Sequence, residues 1–334
     1  MKVLVTGGAG FIGSNFLHLM VPKHKKYDFV CLDALTYAGN YNNLEPIIKR
    51  PNFRFIKGNI VDRGFINDLF AKEKFNWVVN FAAESHNDRS IVHPEIFATT
   101  NILGTQTLLD ASKKHKVDRY HQISTDEVYG ALPLDRPDLL FTEDHALRPT
   151  NPYSASKAAA DLLVQAYHRT FQLPTTISRC SNNYGPYQFP EKLIPKTISQ
   201  ALSDQPVAVH SQGEHVRDWI HVIDHSSAIE KILLSGKIGA VYNLGGRSEK
   251  TNLEIVQIIL RQLGKPDSLI TYVQDRLGND LRYAMDSSKI KRELGWNTRY
   301  SFENSIRETI DWYQNHPEWL LDILSGKYQN SYIP

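Results

Sequence analysis

Residues 3–15 read VLVTGGAGFIGSN. A short β-rich run ends in glycines and passes into a helical pattern, through Gly8-x-Gly10-x-x-Gly13 and the overlapping Gly7-x-x-Gly10-x-x-Gly13. Glycine at such places lets the backbone turn tightly and approach an anion held at the N-terminus of the following helix. A glycine pattern alone is weak, so its surroundings decide. Asp33 closes a second β-rich run 20 residues after Gly13, where a carboxylate would accept hydrogen bonds from an adenosine ribose. Strand, glycines, helix and acid in one register predict a dinucleotide site. Asp33 would repel a 2′-phosphate, Ala34 beside it supplies no cation, and Lys25 and Lys26 precede the strand at its far end, so NAD is expected rather than NADP.

Outward from this stretch, β-rich runs at 2–6, 28–33, 53–56, 76–81, 119–124 and 174–178 alternate with helical patterns at 11–20, 64–72, 94–115 and 153–171. The alternation predicts an α/β protein with a doubly wound parallel sheet, a Rossmann fold, because right-handed crossovers place helices on both faces. After Arg179 the rhythm gives way to RCSNNYGPYQFPEK, and a smaller C-terminal α/β unit is expected to follow. The boundaries read as a dinucleotide-binding domain over 1–178 with a returning segment near 218–240, and a substrate-binding domain over 179–217 and 241–334. Thr251 with Glu254 three residues on predicts a capping box opening a helix over 252–263, and a further helix is expected near 301–315.

Lys and Arg total 38 against 36 Asp and Glu in the 334 residues, a balance that gives no global basic field for nucleic acid. Two cysteines cannot staple so long a chain, which fits a reducing, cytoplasmic setting. Glycine breaks the first apolar run too early for a signal-peptide core, and nowhere do about 18 apolar residues run together, so no membrane association is expected. Thirteen histidines lie scattered without ligand spacing, His86 beside Glu84 and Ser85 included, and no metal is expected.

NPYSASKAAAD sets Tyr153 and Lys157 four residues apart on one helix face. A phenol is a poor base at neutral pH, but a neighbouring ammonium and a nicotinamide cation would both favour phenolate, a means of taking a hydroxyl proton while hydride leaves the same carbon. HQISTDEVYG, residues 121–130, puts Ser124 and Thr125 before two adjacent carboxylates, Asp126 and Glu127, where a buried strand surfaces. Spacing alone also fits an ordinary helix face and a polar strand end.

Together with NFAAESHNDRS and RCSNNYGPYQFPEKLIP, these motifs resemble the extended short-chain dehydrogenase/reductases, and within them the chain is most similar to the dTDP-glucose 4,6-dehydratases, from residue 1 to about 316. The resemblance implies an NAD-dependent lyase acting on a nucleotide-diphosphoglucose. In it Tyr153 takes the 4-hydroxyl proton, Thr125 hydrogen-bonds the same oxygen, Glu127 removes the C5 proton, and Asp126, held protonated, protonates the departing 6-hydroxyl. Hydride returns to C6, so NAD is expected to stay bound. The same resemblance implies cofactor contacts for Gly7, Gly10, Phe11, Ile12 and Gly13, for Asp33, Ala34, Leu35 and Thr36, and for Asn59 and Ile60. It extends them to Phe81, Ala82, Ala83 and Ser85, and to Thr100, Tyr153, Lys157 and Asn183.

Around the sugar, diphosphate and base it implies Ser85, Thr125, Asn182, Lys192, Leu193, Arg217, Asn252 and Arg276. The family's Pro-x-Tyr reads Ala208-Val209-His210 here, and its Asp-Arg-Pro-Gly-His reads Asp275-Arg276-Leu277-Gly278-Asn279, departures that keep a UDP-glucose 4,6-dehydratase open as an alternative. An epimerase would share the cofactor residues and have no use for Asp126 and Glu127; a noncatalytic NAD-binding scaffold would need neither the acids nor the Tyr–Lys pair. The helical stretches 94–115 and 153–171 carry Leu103, Leu108, Leu109, Leu162, Leu163 and Ala166 on more than one side. In the superfamily such a pair often builds a four-helix interface, so a homodimer is expected, the alternative being that all serve the monomer core.

Overall fold

The computed structural model describes residues 1–332. Among them the strands are, in chain order, β1 (Lys2–Thr6), β2 (Asp28–Asp33), β3 (Phe53–Lys57), β4 (Trp77–Asn80), β5 (Arg119–Thr125), β6 (Thr175–Cys180), β7 (Asn182–Tyr184), β8 (Val207–His210), β9 (Val216–His221), β10 (Val241–Leu244), β11 (Glu249–Thr251) and β12 (Ile270–Val273). Seven of them form one sheet in the order β10-β6-β5-β4-β1-β2-β3, every pairing parallel.

Both faces of this sheet are covered, which explains strands that read as continuous apolar runs. Period-two alternation sends Val3 and Val5 to one face, where they pack with Phe16 and Leu17 of the helix Phe11–Lys23 and Ile229 of the helix Val222–Ser235. Leu4 points the other way, into a cluster with Phe70 of Arg63–Glu73, Leu108 of Thr105–Lys114 and Val164 of Pro152–Phe171. The strand order reverses between β1 and β4. A crevice therefore opens beyond their C-terminal ends, the place where such sheets bind ligands.

Two expectations need correction. Residues 241–244, read as part of the second unit, are instead the edge strand β10, paired in register with β6 from Val241 opposite Ile177 to Leu244 opposite Cys180. A four-residue run is too short for its apolar pattern to name its neighbour. The stretch 94–115 is not one α-helix: a turn, Pro94–Phe97, passes into a π-helical segment, Ala98–Gly104, before Thr105–Lys114. Within that wider coil Asn101 takes the backbone N–H of Glu84 at 2.8 Å and donates to the Glu84 carbonyl at 3.0 Å and the Ser156 hydroxyl at 2.8 Å. Apolar periodicity carries no trace of such a side-chain demand.

Beyond the large sheet, β11-β9-β7 form a three-stranded sheet and β12-β8 a pair. Helices Leu193–Leu202, Asn252–Gln262 and Phe302–Asn315 pack Ile194, Ile255 and Ile306 into one core with Tyr184 and Trp219. Thr251 and Glu254 make the reciprocal cap, each accepting the other's backbone N–H. No described helix is long and apolar enough to cross a membrane.

Candidate active site

The glycine turn is built by close backbone approach. Gly7 adopts φ +67°, and a Cβ there would stand 2.6 Å from the Ala82 backbone nitrogen; one on Gly13 would lie 2.4 Å from the Gly7 carbonyl oxygen. Helix Phe11–Lys23 begins at Gly10 with no side-chain cap, so its first-turn amides and dipole remain for an anion. At the end of β2 the buried Asp33 accepts from the Ala9 N–H at 2.9 Å and the Leu35 N–H at 2.8 Å. Burial raises its pKa and those two bonds oppose the rise. Turn, uncapped helix and acid fit a dinucleotide.

One continuous crevice runs from this turn to the ends of β5 and β6. It is lined by Gly7, Gly10, Phe11, Ile12, Gly13, Asp33, Ala34 and Thr36, by Asn59 and Ile60, and by Phe81, Ala82, Ala83, Ser85, Thr100 and Asn183. Leu35 does not line it. That residue sits in the left-handed region at φ 52°, and its side chain packs against the apolar cluster under β1 and β2. Asn183 faces the crevice, yet its amide is engaged within the protein: Nδ2 donates to the Ser181 carbonyl at 2.9 Å and Oδ1 accepts from His225 Nδ1 at 2.8 Å.

The same crevice brings together Thr125, Asp126, Glu127, Tyr153 and Lys157 with Asn182 and Lys192. β5 ends at Thr125, whose hydroxyl accepts from the Glu127 N–H at 3.3 Å and opens a 3-10 turn, Asp126–Tyr129. Asp126 is buried; Oδ1 accepts from the Thr125 hydroxyl at 3.1 Å, while Oδ2 has no partner. Burial first, then the charges of Glu127 and Asp218, push its carboxyl well above the usual range. Glu127 is also raised by burial, opposed by the Asn87 amide, whose Nδ2 donates to Oε2 at 3.1 Å, and by Arg217 and Lys192. Two neighbouring acids thus meet unequal surroundings.

Opposite them, Asn151 caps the helix Pro152–Phe171 in a reciprocal pair with Ser154, and Pro152 suits its first turn. This sets Tyr153 in that turn and Lys157 one turn on, both buried. The Tyr153 phenol is pushed well above its ordinary value by burial and then by Glu127, Cys180 and Asp126, with the neighbouring Thr125 hydroxyl acting the other way. Lys157 Nζ donates to the Ile123 carbonyl at 2.6 Å and so ties the helix to β5. Burial lowers its pKa and Asp161, one turn further, opposes the fall.

The remaining residues expected at the substrate do not line the crevice. Arg217 is buried with its guanidinium over the Tyr283 ring at 4.5 Å, donating to the Val216 carbonyl at 2.8 Å and to Asn279 Oδ1 at 3.0 Å. Pairing of β8 with β12 places His210 near the loop that follows Val273, where Arg276 Nε donates to His210 Nε2 at 3.2 Å and meets Asp88 at 3.3 Å. Ala208 lies on β8, Asn252 opens its helix with its N–H on the His215 carbonyl, and Leu193 packs into the core.

Sequence reading missed several contributors. Asn87 touches Glu127, and Asn101 fixes the Glu84 backbone. At the mouth Tyr37 lies under the Arg89 guanidinium at 3.9 Å and donates to Glu191 at 3.1 Å, next to the expected Lys192, whose Nζ donates to the Ser85 carbonyl at 2.6 Å. Asn87 and Arg89 stood inside the quoted NFAAESHNDRS, which was the signal available.

Glycine turn, parallel sheet and Tyr–Lys helix define an extended short-chain dehydrogenase/reductase. The model of the GDP-mannose 4,6 dehydratase family matches residues 4–309, and the chain belongs to that family. It is 46% identical over 333 residues to the dTDP-glucose 4,6-dehydratase of Mycolicibacterium smegmatis, covering 98% of this chain and 99% of the relative. The structure of the Bacillus anthracis dTDP-glucose 4,6-dehydratase in complex with NAD is similar at TM-score 0.90 and 46% identity, over 97% of this chain and 99% of that one. The Streptomyces venezuelae dTDP-glucose 4,6-dehydratase, solved with NAD bound, matches at TM-score 0.93 and 43% identity, over 97% and 100%.

Proposed function

We propose that this protein is a dTDP-glucose 4,6-dehydratase, converting dTDP-glucose to dTDP-4-keto-6-deoxyglucose and water with NAD as resident cofactor. The observation that carries the reading is the unequal pair Asp126 and Glu127 facing one crevice with Tyr153 and Lys157. The first-turn amides after Gly10 would hold the pyrophosphate and Asp33 the adenosine ribose. When bound, NAD would supply the reversible hydride acceptor that takes hydride from C4 and returns it to C6, and a positive charge that favours phenolate.

Burial holds the Tyr153 phenol protonated at rest, and in the reaction Tyr153 takes the 4-hydroxyl proton while Thr125 holds the oxygen. A ketone at C4 acidifies C5–H. Glu127, with Asn87, Arg217 and Lys192 favouring its charge, accepts that proton. Asp126, held protonated by burial, gives its proton to the departing 6-hydroxyl, and no net oxidation results. The smaller unit, with Arg217, Arg276 and Lys192, is assigned the nucleotide diphosphate, which guanidinium forks suit. A homodimer is proposed through Leu103 and Leu162, which stand 51% and 56% exposed while Leu108 and Leu109 are fully buried. Free, buried Cys31 and Cys180 support a cytoplasmic setting.

The deciding experiment incubates the purified protein, without added reductant, with dTDP-glucose and UDP-glucose separately and weighs the products by mass spectrometry. Loss of one water, faster from dTDP-glucose, is expected. An isomer of unchanged mass would mean an epimerase, and a higher kcat/KM for UDP-glucose would reassign the base.

A further inference from the structure

Adjacent carboxyls divide acid from base only if their surroundings differ. Asp126 has one bond, from the hydroxyl of its neighbour Thr125, and an oxygen without a partner. Glu127 receives a donor from a distant segment: Asn87 opens the short helix Asn87–Val92, and its Nδ2 lies 3.1 Å from Glu127 Oε2. The Asn87 Oδ1 is buried with no partner, so the side chain's hydrogen bond is the one to Glu127. Turning the amide over would press its oxygen against the carboxylate.

We propose that Asn87 is a positioning residue that holds Glu127 as the carboxylate base and leaves the shared site's proton on Asp126. The inference rests on the dehydratase reading above. An amide donor favours the charged form of the carboxyl it meets, and it fixes which oxygen points into the crevice. Around Glu127, Arg217 from β9 and Lys192 also favour charge, Asp280 opposes it, and Asp126 alongside with the phenols of Tyr153 and Tyr283 completes the set. Arg217 and Lys192 are committed to the substrate diphosphate in this reading. Asn87 is the neutral donor that stays with Glu127 throughout.

The test is the pH profile of kcat for wild type, Asn87→Leu and Asn87→Asp. Asn87→Leu removes the donor at similar volume, and the ascending limb should move up by about one pH unit, with kcat about tenfold lower below it and recovered above it. Reduced cofactor should accumulate on that limb, because oxidation at C4 continues while C5 deprotonation lags. Asn87→Asp sets a like charge there and should move the limb further. A limb that stays in place, an equal loss at every pH, or Asn87→Asp moving it less than Asn87→Leu would overturn the proposal. Carbon-13 NMR titration of the Glu127 carboxyl in the three proteins needs no turnover. It reads this inference even if the wild type fails to release water from dTDP-glucose, the result that would sink the dehydratase reading instead.

Discussion

At the residue scale the chemistry turns on two side chains that a reader of the sequence sees side by side and that the fold treats differently. Asp126→Asn should leave oxidation at C4 intact, because Tyr153 and Lys157 remain, and slow elimination by about 10²–10⁴-fold. Reduced nicotinamide should then build up after substrate is added, seen by its near-ultraviolet absorbance. Tyr153→Phe should remove the first proton acceptor and give little such signal; equal loss of signal in both would refute the assignment. Of four residues that line one crevice, Gly10 and Asp33 were legible because their chemistry depends on spacing along the chain, and Thr125 and Tyr153 through the resemblance of the motifs that hold them. Asn87, Asn101 and Glu191 were not, because each acts on a side chain or backbone 17 to 154 residues away. Leu35 shows the opposite failure: it sits between two crevice residues in sequence, and a left-handed backbone turns it into the core.

At the scale of elements, the limits of β1 to β6 were legible to within two residues because buried parallel strands are short apolar runs with polar ends. The break in 94–115 was not, since α and π segments share the same apolar faces over so short a span. Those helices also carry a surface prediction. Leu103 stands on the π segment and Leu162 on the catalytic helix, both exposed, whereas Val164 beside the latter is fully buried. Replacing Leu103 and Leu162 together by Arg should therefore convert a dimer to a monomer in multi-angle light scattering without lowering monomer stability, because neither side chain is in the core. If the doubly substituted protein remains dimeric, the interface lies elsewhere.

At the scale of the molecule, acid should find buried histidines. His121, bonded to Thr176 and Ser178 on β6, and His225 are fully buried, and burial lowers each pKa to about 3. Such a group binds its proton in the unfolded chain near pH 6.5 but in the folded one only near pH 3, so its stabilising share falls as pH drops through that window. Raised acids such as Asp218, held up to about 6 by burial, act with opposite sign. They are common to wild type and His121→Gln, and the difference isolates the histidine. In urea unfolding the advantage of wild type over His121→Gln should shrink by about 2 kcal/mol between pH 7 and pH 5. An advantage that does not change would mean that His121 titrates in the fold as it does in the unfolded chain.

The returning strand β10 bears on how the protein is made. Synthesis proceeds from the N-terminus, and the strands that frame the crevice, β1, β4, β5 and β6, have all left the ribosome well before Val241 is added. Until then the β6 edge of the sheet has no strand beside it, while residues from Ser181 to Ala240 emerge and begin to fold elsewhere. A bare parallel edge invites pairing with a second nascent chain. During the interval of about 60 residues between Cys180 and Val241 that edge is the six-residue β6, where the finished sheet ends in the four-residue β10, and a shorter edge is the safer one. A chain that ends between those two residues would keep β6 at the edge.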